Sequence, residues 1–172
     1  MYKNVDIIIP NYNNADFIDQ SIQSVINQSF KNWKIYIVDD SSTDNSRNII
    51  LKYKKNKKIK SFFLKKNKGP SFCRNYAISK SKSNLIAFLD SDDFWSKGKL
   101  SKQIKFMKKN KLHFTFTDYI PFINKSEKYL NATNIKKTFN YKEFIHDTSI
   151  GTSTIIIKRS LIKGIKFKNT DI

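Results

Sequence analysis

Between residues 5 and 107, short β-branched runs alternate four times with stretches of helical periodicity, and the connections are short. No other feature restricts the fold as much. Val5 to Pro10 is an apolar run stopped by proline, as expected of a buried strand. Ile18, Ile22, Val25 and Ile26 then recur at helical spacing through about Gln28, with Asp16 placed to cap. Lys34–Asp39 reads as a second strand, followed by turn and cap residues at Ser41–Asp44 and a helix carrying Ile49, Ile50 and Tyr53. Ile59–Leu64 and Leu85–Leu89 read as the third and fourth strands. Ser71–Ser81 reads as a helix between them, and a last helix, with Ser96 as its cap, carries Leu100, Ile104 and Met107. Such alternation predicts βαβ units: an α/β fold with a mostly parallel central sheet and helices on both faces. Ligands of these sheets bind outside the carboxyl ends of the strands. The loops Asn11–Asn14, Asp39–Asp44, Lys65–Ser71 and Asp90–Asp93 are therefore the ones to read for chemistry.

Beyond residue 110 the pattern changes. Leu112–Phe122 alternates and is rich in β-formers, so it reads as a strand. Asn124–Asn140 is a polar excursion with a weak strand, and Tyr141–His146 a short helix. Thr152–Lys158 is a further strand, with Ser160 opening a short helix. No interdomain linker separates this part, so residues 1–172 are read as one domain.

Acids are scarce in this chain, which makes their grouping informative. It carries 33 Lys+Arg against 14 Asp+Glu, a net charge of +19. Six of the fourteen acids lie in two groups, Asp39-Asp40-Ser41-Ser42-Thr43-Asp44 and Asp90-Ser91-Asp92-Asp93. Three carboxylates within four residues repel one another unless a cation or donors offset them. A divalent metal bridging to a diphosphate is one such offset, because magnesium and manganese sites commonly combine one or two aspartates with substrate phosphates. Turn and N-cap roles for the following helices are the alternative. Gly69-Pro70-Ser71 enters a helix and could offer backbone donors to an anion, with Arg74 one turn inside. An ordinary loop with a surface arginine is the alternative there. Cys73 reads as a packing residue.

Several classes are excluded or disfavoured. A lone cysteine leaves no internal disulfide framework, and two histidines make a histidine-based metal site improbable. No apolar run reaches the roughly 18 residues that span a bilayer, and the N-terminus has too short an apolar stretch for a signal peptide. A reducing cytosol is the expected compartment. With 39% hydrophobic and 14% aromatic residues the chain can build a core despite its charge. Only three of the basic residues are arginine (Arg47, Arg74, Arg159). A nucleic-acid reader usually relies on arginine for bidentate contacts. Compositional drift toward lysine, which is abundant throughout the chain, is the first reading of the charge; an anionic membrane surface comes next, and a basic nucleic-acid-binding module using Lys54–Lys60, Lys65–Lys68 and Lys108–Lys111 last.

The motifs together resemble glycosyltransferase family 2, the inverting transferases of GT-A (Rossmann-like) fold. Val5–Asn13 resembles the family's opening strand and its proline-x-tyrosine-asparagine loop. Phe17–Gln28 with Ser29-Phe30 resembles its first helix. Ile37–Asp44 is similar to its nucleotide-binding motif, with Ser41 where glycine is commoner. Gly69–Asn75 resembles its glycine–arginine–asparagine segment, and Phe88–Asp93 its aspartate-x-aspartate motif. The resemblance implies that residues 1–100 bind a nucleotide sugar, most often a UDP-sugar, and that 101–172 form part of an acceptor-side half. It implies a base pocket of Pro10, Tyr12 and Asp40, with Asp39 supporting the loop. Arg74 would lie near the nucleotide. Asp90 and Asp92 would reach the ribose and the metal, Ser91 would belong to the nucleotide-sugar site, and Asp92 and Asp93 would hold Mn2+ or Mg2+. The acceptor would be a glycan or lipid-linked saccharide of surface polysaccharide biosynthesis. The protein would be cytoplasmic, in peripheral contact with the anionic inner face of the cell membrane. The family's general base belongs to an acidic pair beyond the strand that Thr152–Ser160 resembles. Here Asp171 is the one acid near that place, and Asp118 and Asp147 read as structural. The expectation is a chain truncated before its base, either a fragment or a donor-binding pseudoenzyme, that binds nucleotide and transfers sugar poorly.

Overall fold

The computed structural model describes residues 4–123, 128–129, 131–133, 135, 138–139, 143 and 149–168. Among the described residues there are eight strands: β1 (Val5–Asn11), β2 (Trp33–Asp39), β3 (Ile59–Phe63), β4 (Leu85–Phe88), β5 (Phe114–Thr115), β6 (Phe122–Ile123), β7 (Lys128–Tyr129) and β8 (Ile156–Lys158). The helices are α1 (Ile18–Ile26), α2 (Ser46–Leu51), α3 (Gly69–Lys80) and α4 (Lys99–Lys109). Six strands form the central sheet in the order β3-β2-β1-β4-β8-β5, and β6 and β7 pair separately. β3, β2, β1 and β4 run parallel, while β8 is antiparallel to both of its neighbours. The expected α/β architecture is therefore present.

Alternation along the strands builds the two faces. Val5, Ile7 and Ile9 of β1, with Trp33, Ile35 and Ile37 of β2, pack with Ile18, Ile22, Ile50, Leu100 and Met107 from α1, α2 and α4. Ile8, Tyr36, Val38, Ile86 and Phe88 point the other way, onto Cys73 and Ala77 of α3. A strand covered on both faces reads as one continuous apolar run, which is why β1 is so plain in the sequence. All seven of its residues are buried.

The register positions the site. Asn11 stands opposite Asp39, and Ile8 opposite Phe88, so β1, β2 and β4 release their carboxyl-end loops on one edge. The chain steps outward from β1 to β3 and then crosses back to β4 on β1's other side. That reversal opens a crevice at the carboxyl ends.

Several boundaries differ from expectation. α1 begins after Phe17 with no side-chain cap, because the Asn14 carbonyl receives the Phe17 and Ile18 amides at 3.1 and 3.0 Å; Asp16 does not cap. α4 begins after Gly98, and Ser96 contributes its carbonyl to the Lys99 amide. α3 starts two residues early, at Gly69, whose φ of 82° suits glycine. The long strand expected over Leu112–Phe122 is only Phe114–Thr115. After it the chain leaves the sheet: Tyr119 and Thr133 exchange backbone and hydroxyl hydrogen bonds, and Asp118 accepts from the Ile135 amide at 3.1 Å. The expected strand Thr152–Lys158 opens with a 3-10 turn at Thr152–Thr154, so only Ile156–Lys158 pairs. Ser160 lies inside a second 3-10 turn, Arg159–Ile162. The expected helix Tyr141–His146 lies outside the described residues, apart from Glu143.

Candidate functional site

A pocket of about 510 Å³ opens on the carboxyl edge, within the range of small-molecule sites. Its walls come from four successive loops. Pro10, Asn11, Tyr12 and Asn14 follow β1, and Asp40 follows β2. Asn67, Gly69 and Pro70 lead into α3, which adds Cys73 and Arg74. Asp90, Ser91 and Asp92 follow β4. Seven of the residues expected at a nucleotide site are thus gathered: Pro10, Tyr12, Asp40, Arg74, Asp90, Ser91 and Asp92. Asp39 and Asp93 do not line it, and Asp171 lies outside the described residues.

Asp39 is fully buried beneath the first two loops. It accepts from Asn11 Nδ2 at 2.9 Å and the Ser42 amide at 3.2 Å, and Arg47 Nε stands 3.4 Å away. The same turn holds Ser41 at φ 64°, a left-handed conformation that costs a serine roughly 1 kcal/mol or more. Asn13, itself at φ 49°, accepts from the Thr43 amide at 2.8 Å. Asp44 accepts from the Ser46 amide at 2.9 Å and the Ala15 amide at 2.8 Å, so it serves the start of α2 and fastens it to the first loop.

Asp40 has a double role. Its two oxygens accept the Lys68 amide at 2.8 Å and the Gly69 amide at 2.7 Å. The backbone donors expected to serve a bound anion at this helix start are instead given to Asp40. Asp40 also lines the pocket, and a carboxylate has acceptor sites beyond the two that these amides use. Cys73 sits beside it, fully buried; burial, then the Asp40 charge, pushes its thiol up to about 12. A thiol held protonated is a wall, not a nucleophile.

The acidic loop divides its three carboxylates. Asp90 accepts from Arg74 Nη2 at 2.6 Å. Arg74 Nε is buried without a partner, which leaves a donor of a fixed guanidinium for an incoming acceptor. Asp93 accepts from the Ser153 hydroxyl. Loss of surrounding water raises the Asp93 carboxyl above its ordinary range, the Ser153 bond opposes this, and Asp92 and Asp90 add to the rise. Asp92 is exposed at the pocket edge with no hydrogen bond or ion pair among the described residues. Ser91 is buried and accepts from Asn14 Nδ2 at 2.7 Å, tying the first loop to the last. No group of three metal-ligating side chains is preassembled among the described residues. What stands ready is one unpaired carboxylate, suited to a cation that takes its other ligands from phosphates and water.

Residues that the sequence did not single out complete the site. Asn11, Asn14 and Ser42 brace the loops, and Ser153 reaches in from the second half. Asparagines are abundant throughout this chain, so no local pattern marked these. At the end of the described chain, Asn75 and Phe167 exchange hydrogen bonds of 2.8 and 3.0 Å, and the Phe167 ring lies 5.6 Å from the Arg74 guanidinium. The segment around Phe167 therefore runs beside Arg74, a wall of the pocket.

The sequence profile described as "Glycosyl transferase family 2" matches residues 6–165. The chain belongs to glycosyltransferase family 2. Among curated relatives, it is 35% identical over 166 residues to the putative teichuronic acid biosynthesis glycosyltransferase TuaG of Bacillus subtilis (strain 168), covering 96% of this chain and 66% of that one. It is 38% identical over 169 residues to the UDP-Glc:alpha-D-GlcNAc-diphosphoundecaprenol beta-1,3-glucosyltransferase WfaP of Escherichia coli, covering 97% and 65%. The family 2 chain thus spans about two thirds of the length of these relatives. Among solved structures, S. aureus TarS 1-349 in complex with UDP-GlcNAc superposes with a TM-score of 0.76 at 25% identity, covering 94% of this chain and 47% of that one. The mannosyltransferase PcManGT from Pyrobaculum calidifontis, in complex with GDP-Man and Mn2+, superposes at 0.72 with 14% identity, covering 98% and 48%; that likeness concerns the fold. The family 2 chain has the GT-A fold of these neighbours.

Proposed function

We propose that this chain binds a nucleoside-diphosphate sugar, a UDP-sugar, in the carboxyl-edge pocket and takes part in inverting transfer of the sugar to a lipid-linked or glycan acceptor in surface polysaccharide biosynthesis. The observation that carries the reading is the convergence of Tyr12, Asp40, Arg74, Asp90 and Asp92 on one pocket. The names of the relatives, which specify a UDP-glucose donor and a diphosphoundecaprenol acceptor for WfaP, support the donor and acceptor classes.

Each residue has work suited to its chemistry. Tyr12, 47% exposed at the mouth, offers a ring face for a base to stack on. Asp40 accepts from the pyrimidine N–H with its remaining lone pairs. Arg74 donates to a phosphate while Asp90 holds its guanidinium in place, and Asp90 also faces the ribose. Asp92 would hold Mn2+ or Mg2+ when a diphosphate is bound; Asp93 is bonded to Ser153 and would have to leave it to join. The bound cation would neutralise charge that develops on the leaving diphosphate. Inversion also needs a base on the acceptor side. Asp118 is bonded to the Ile135 amide and lies outside the described lining of the pocket. Asp171 is kept as the candidate base.

Calorimetric titration of UDP with and without Mn2+ tests the reading. Binding should strengthen with the metal, and Asp92→Ala should abolish that gain. Binding that ignores both the metal and the substitution would refute it. None of the described helices is long and apolar enough to cross a membrane. The exposed lysines are proposed to hold the protein at anionic lipid. Sedimentation with vesicles checks this, and equal binding to neutral and anionic vesicles would remove that part.

A further inference from the structure

We propose that Ser153 is a positioning residue of the donor site, fixing the Asp90–Asp93 loop so that Asp92 is presented to the pocket unbonded. The inference rests on the reading of that pocket as a nucleotide-sugar site.

The hydroxyl of Ser153 works in two directions. It accepts the Asp90 amide at 2.9 Å and donates to Asp93 Oδ2. It therefore satisfies a backbone donor at the start of the loop and a carboxylate at its end. Within the loop the Asp93 amide also reaches back to the Asp90 carbonyl at 3.1 Å, closing a turn around Ser91 and Asp92. Of the three carboxylates, Asp90 is committed to Arg74 and Asp93 to Ser153, and Asp92 remains.

Ser153 is itself held from the far side. Its carbonyl accepts Trp95 Nε1 at 2.8 Å. Trp95 is 7% exposed, with the Lys99 ammonium 3.9 Å from its ring centre. The next residue, Thr154, gives its carbonyl to Gln103 Nε2 at 3.0 Å and its amide and hydroxyl to the Gly151 carbonyl. The 3-10 turn is thus pinned to α4 before it touches the acidic loop. A hydroxyl on a fixed turn can set the loop, whereas one on a mobile turn would follow it.

Removing the hydroxyl leaves the Asp90 amide without its partner and frees Asp93 beside Asp92. The loop then loses both of its hydrogen bonds to the fixed turn, and Asp92 its set position. The loss falls on the metal-assisted part of donor binding. Base and phosphate contacts made by Tyr12, Asp40 and Arg74 should be spared.

The test is a titration of UDP into the wild type, Ser153→Ala and Ser153→Thr, with and without Mn2+, alongside melting temperatures. Ser153→Ala should weaken binding in Mn2+ about tenfold, as expected for one lost charge-assisted bond, and leave metal-free binding within about twofold. Ser153→Thr keeps the hydroxyl and should restore most of the Mn2+-dependent affinity. A purely structural role would lower both affinities together or move only the melting temperature, and either result overturns the proposal. So does failure of threonine to rescue. A wild type with no UDP affinity in either condition would instead overturn the donor-site reading beneath it.

Discussion

The two halves of this chain are built by different rules. From β1 to α4 every element is a regular strand or helix, and the described pocket lining comes from residues 10–92. From residue 112 to 168 the described elements are two- and three-residue strands and 3-10 turns. Yet this second part supplies β8, which sits inside the sheet beside β4, and Ser153, which holds the Asp90–Asp93 loop. The first half makes a binding surface from repeated packing. The second half acts on that surface through a few directed hydrogen bonds. Stability should therefore be concentrated in the first half, and the function of the second should depend on single contacts.

Paired core truncations sharpen the contrast most. Ile7 is fully buried in the central strand, so Ile7→Ala should cost roughly 2–5 kcal/mol. Ile157 on β8 is only half-buried, and Ile157→Ala should cost about 1 kcal/mol. Urea unfolding measures both, and equal costs would break the distinction.

Lys99 gives an intermediate effect, at the junction of the halves. Burial without a hydrogen-bond partner pushes its ammonium down to about 7. Between that value and its unfolded value the unfolded chain binds more protons than the folded one, so stability should rise as pH goes from about 7 toward 10. One proton over two pH units is worth at most about 2.7 kcal/mol. Lys99→Met should flatten the rise in melting temperature between pH 7 and 9. A wild type whose stability falls over that range, with the variant falling equally, would contradict this.

The smallest expected change is Ser41→Gly. Relief of the left-handed backbone at φ 64°, partly offset by glycine's greater unfolded freedom, should stabilise the chain by about 0.5–1 kcal/mol. Thermal unfolding would detect it, and destabilisation would show that the Ser41 side chain is needed.

These differences also mark what the sequence could reveal. β1, β2 and β4 were legible because strands covered on both faces must be continuously apolar, and α1 and α4 because one face recurs every 3.6 residues. Asp39, Asp40 and Asp90–Asp92 stood out as grouped acids in a basic chain. The helix starts were less legible, since backbone carbonyls of Asn14 and Ser96 do what Asp16 and Ser96 side chains were expected to do. Leu112–Phe122 misled because its alternation is real, but Thr115 turns to Gln103 and Asp118 to Ile135, and the strand stops. Ser153 gave no signal at all: it is one hydroxyl among Thr152, Ser153 and Thr154, and only the fold shows which of them meets Asp90 and Asp93.

The claim that the first half alone forms the donor surface can be tested by one comparison. UDP is titrated into Asp40→Asn and Asp118→Asn, with circular dichroism confirming that both remain folded. Asp40 lines the pocket, whereas Asp118 is bonded to Ile135 in the second half. The account predicts about a tenfold or greater loss of affinity for Asp40→Asn and wild-type affinity for Asp118→Asn. Equal losses in the two variants, or a loss confined to Asp118→Asn, would contradict it.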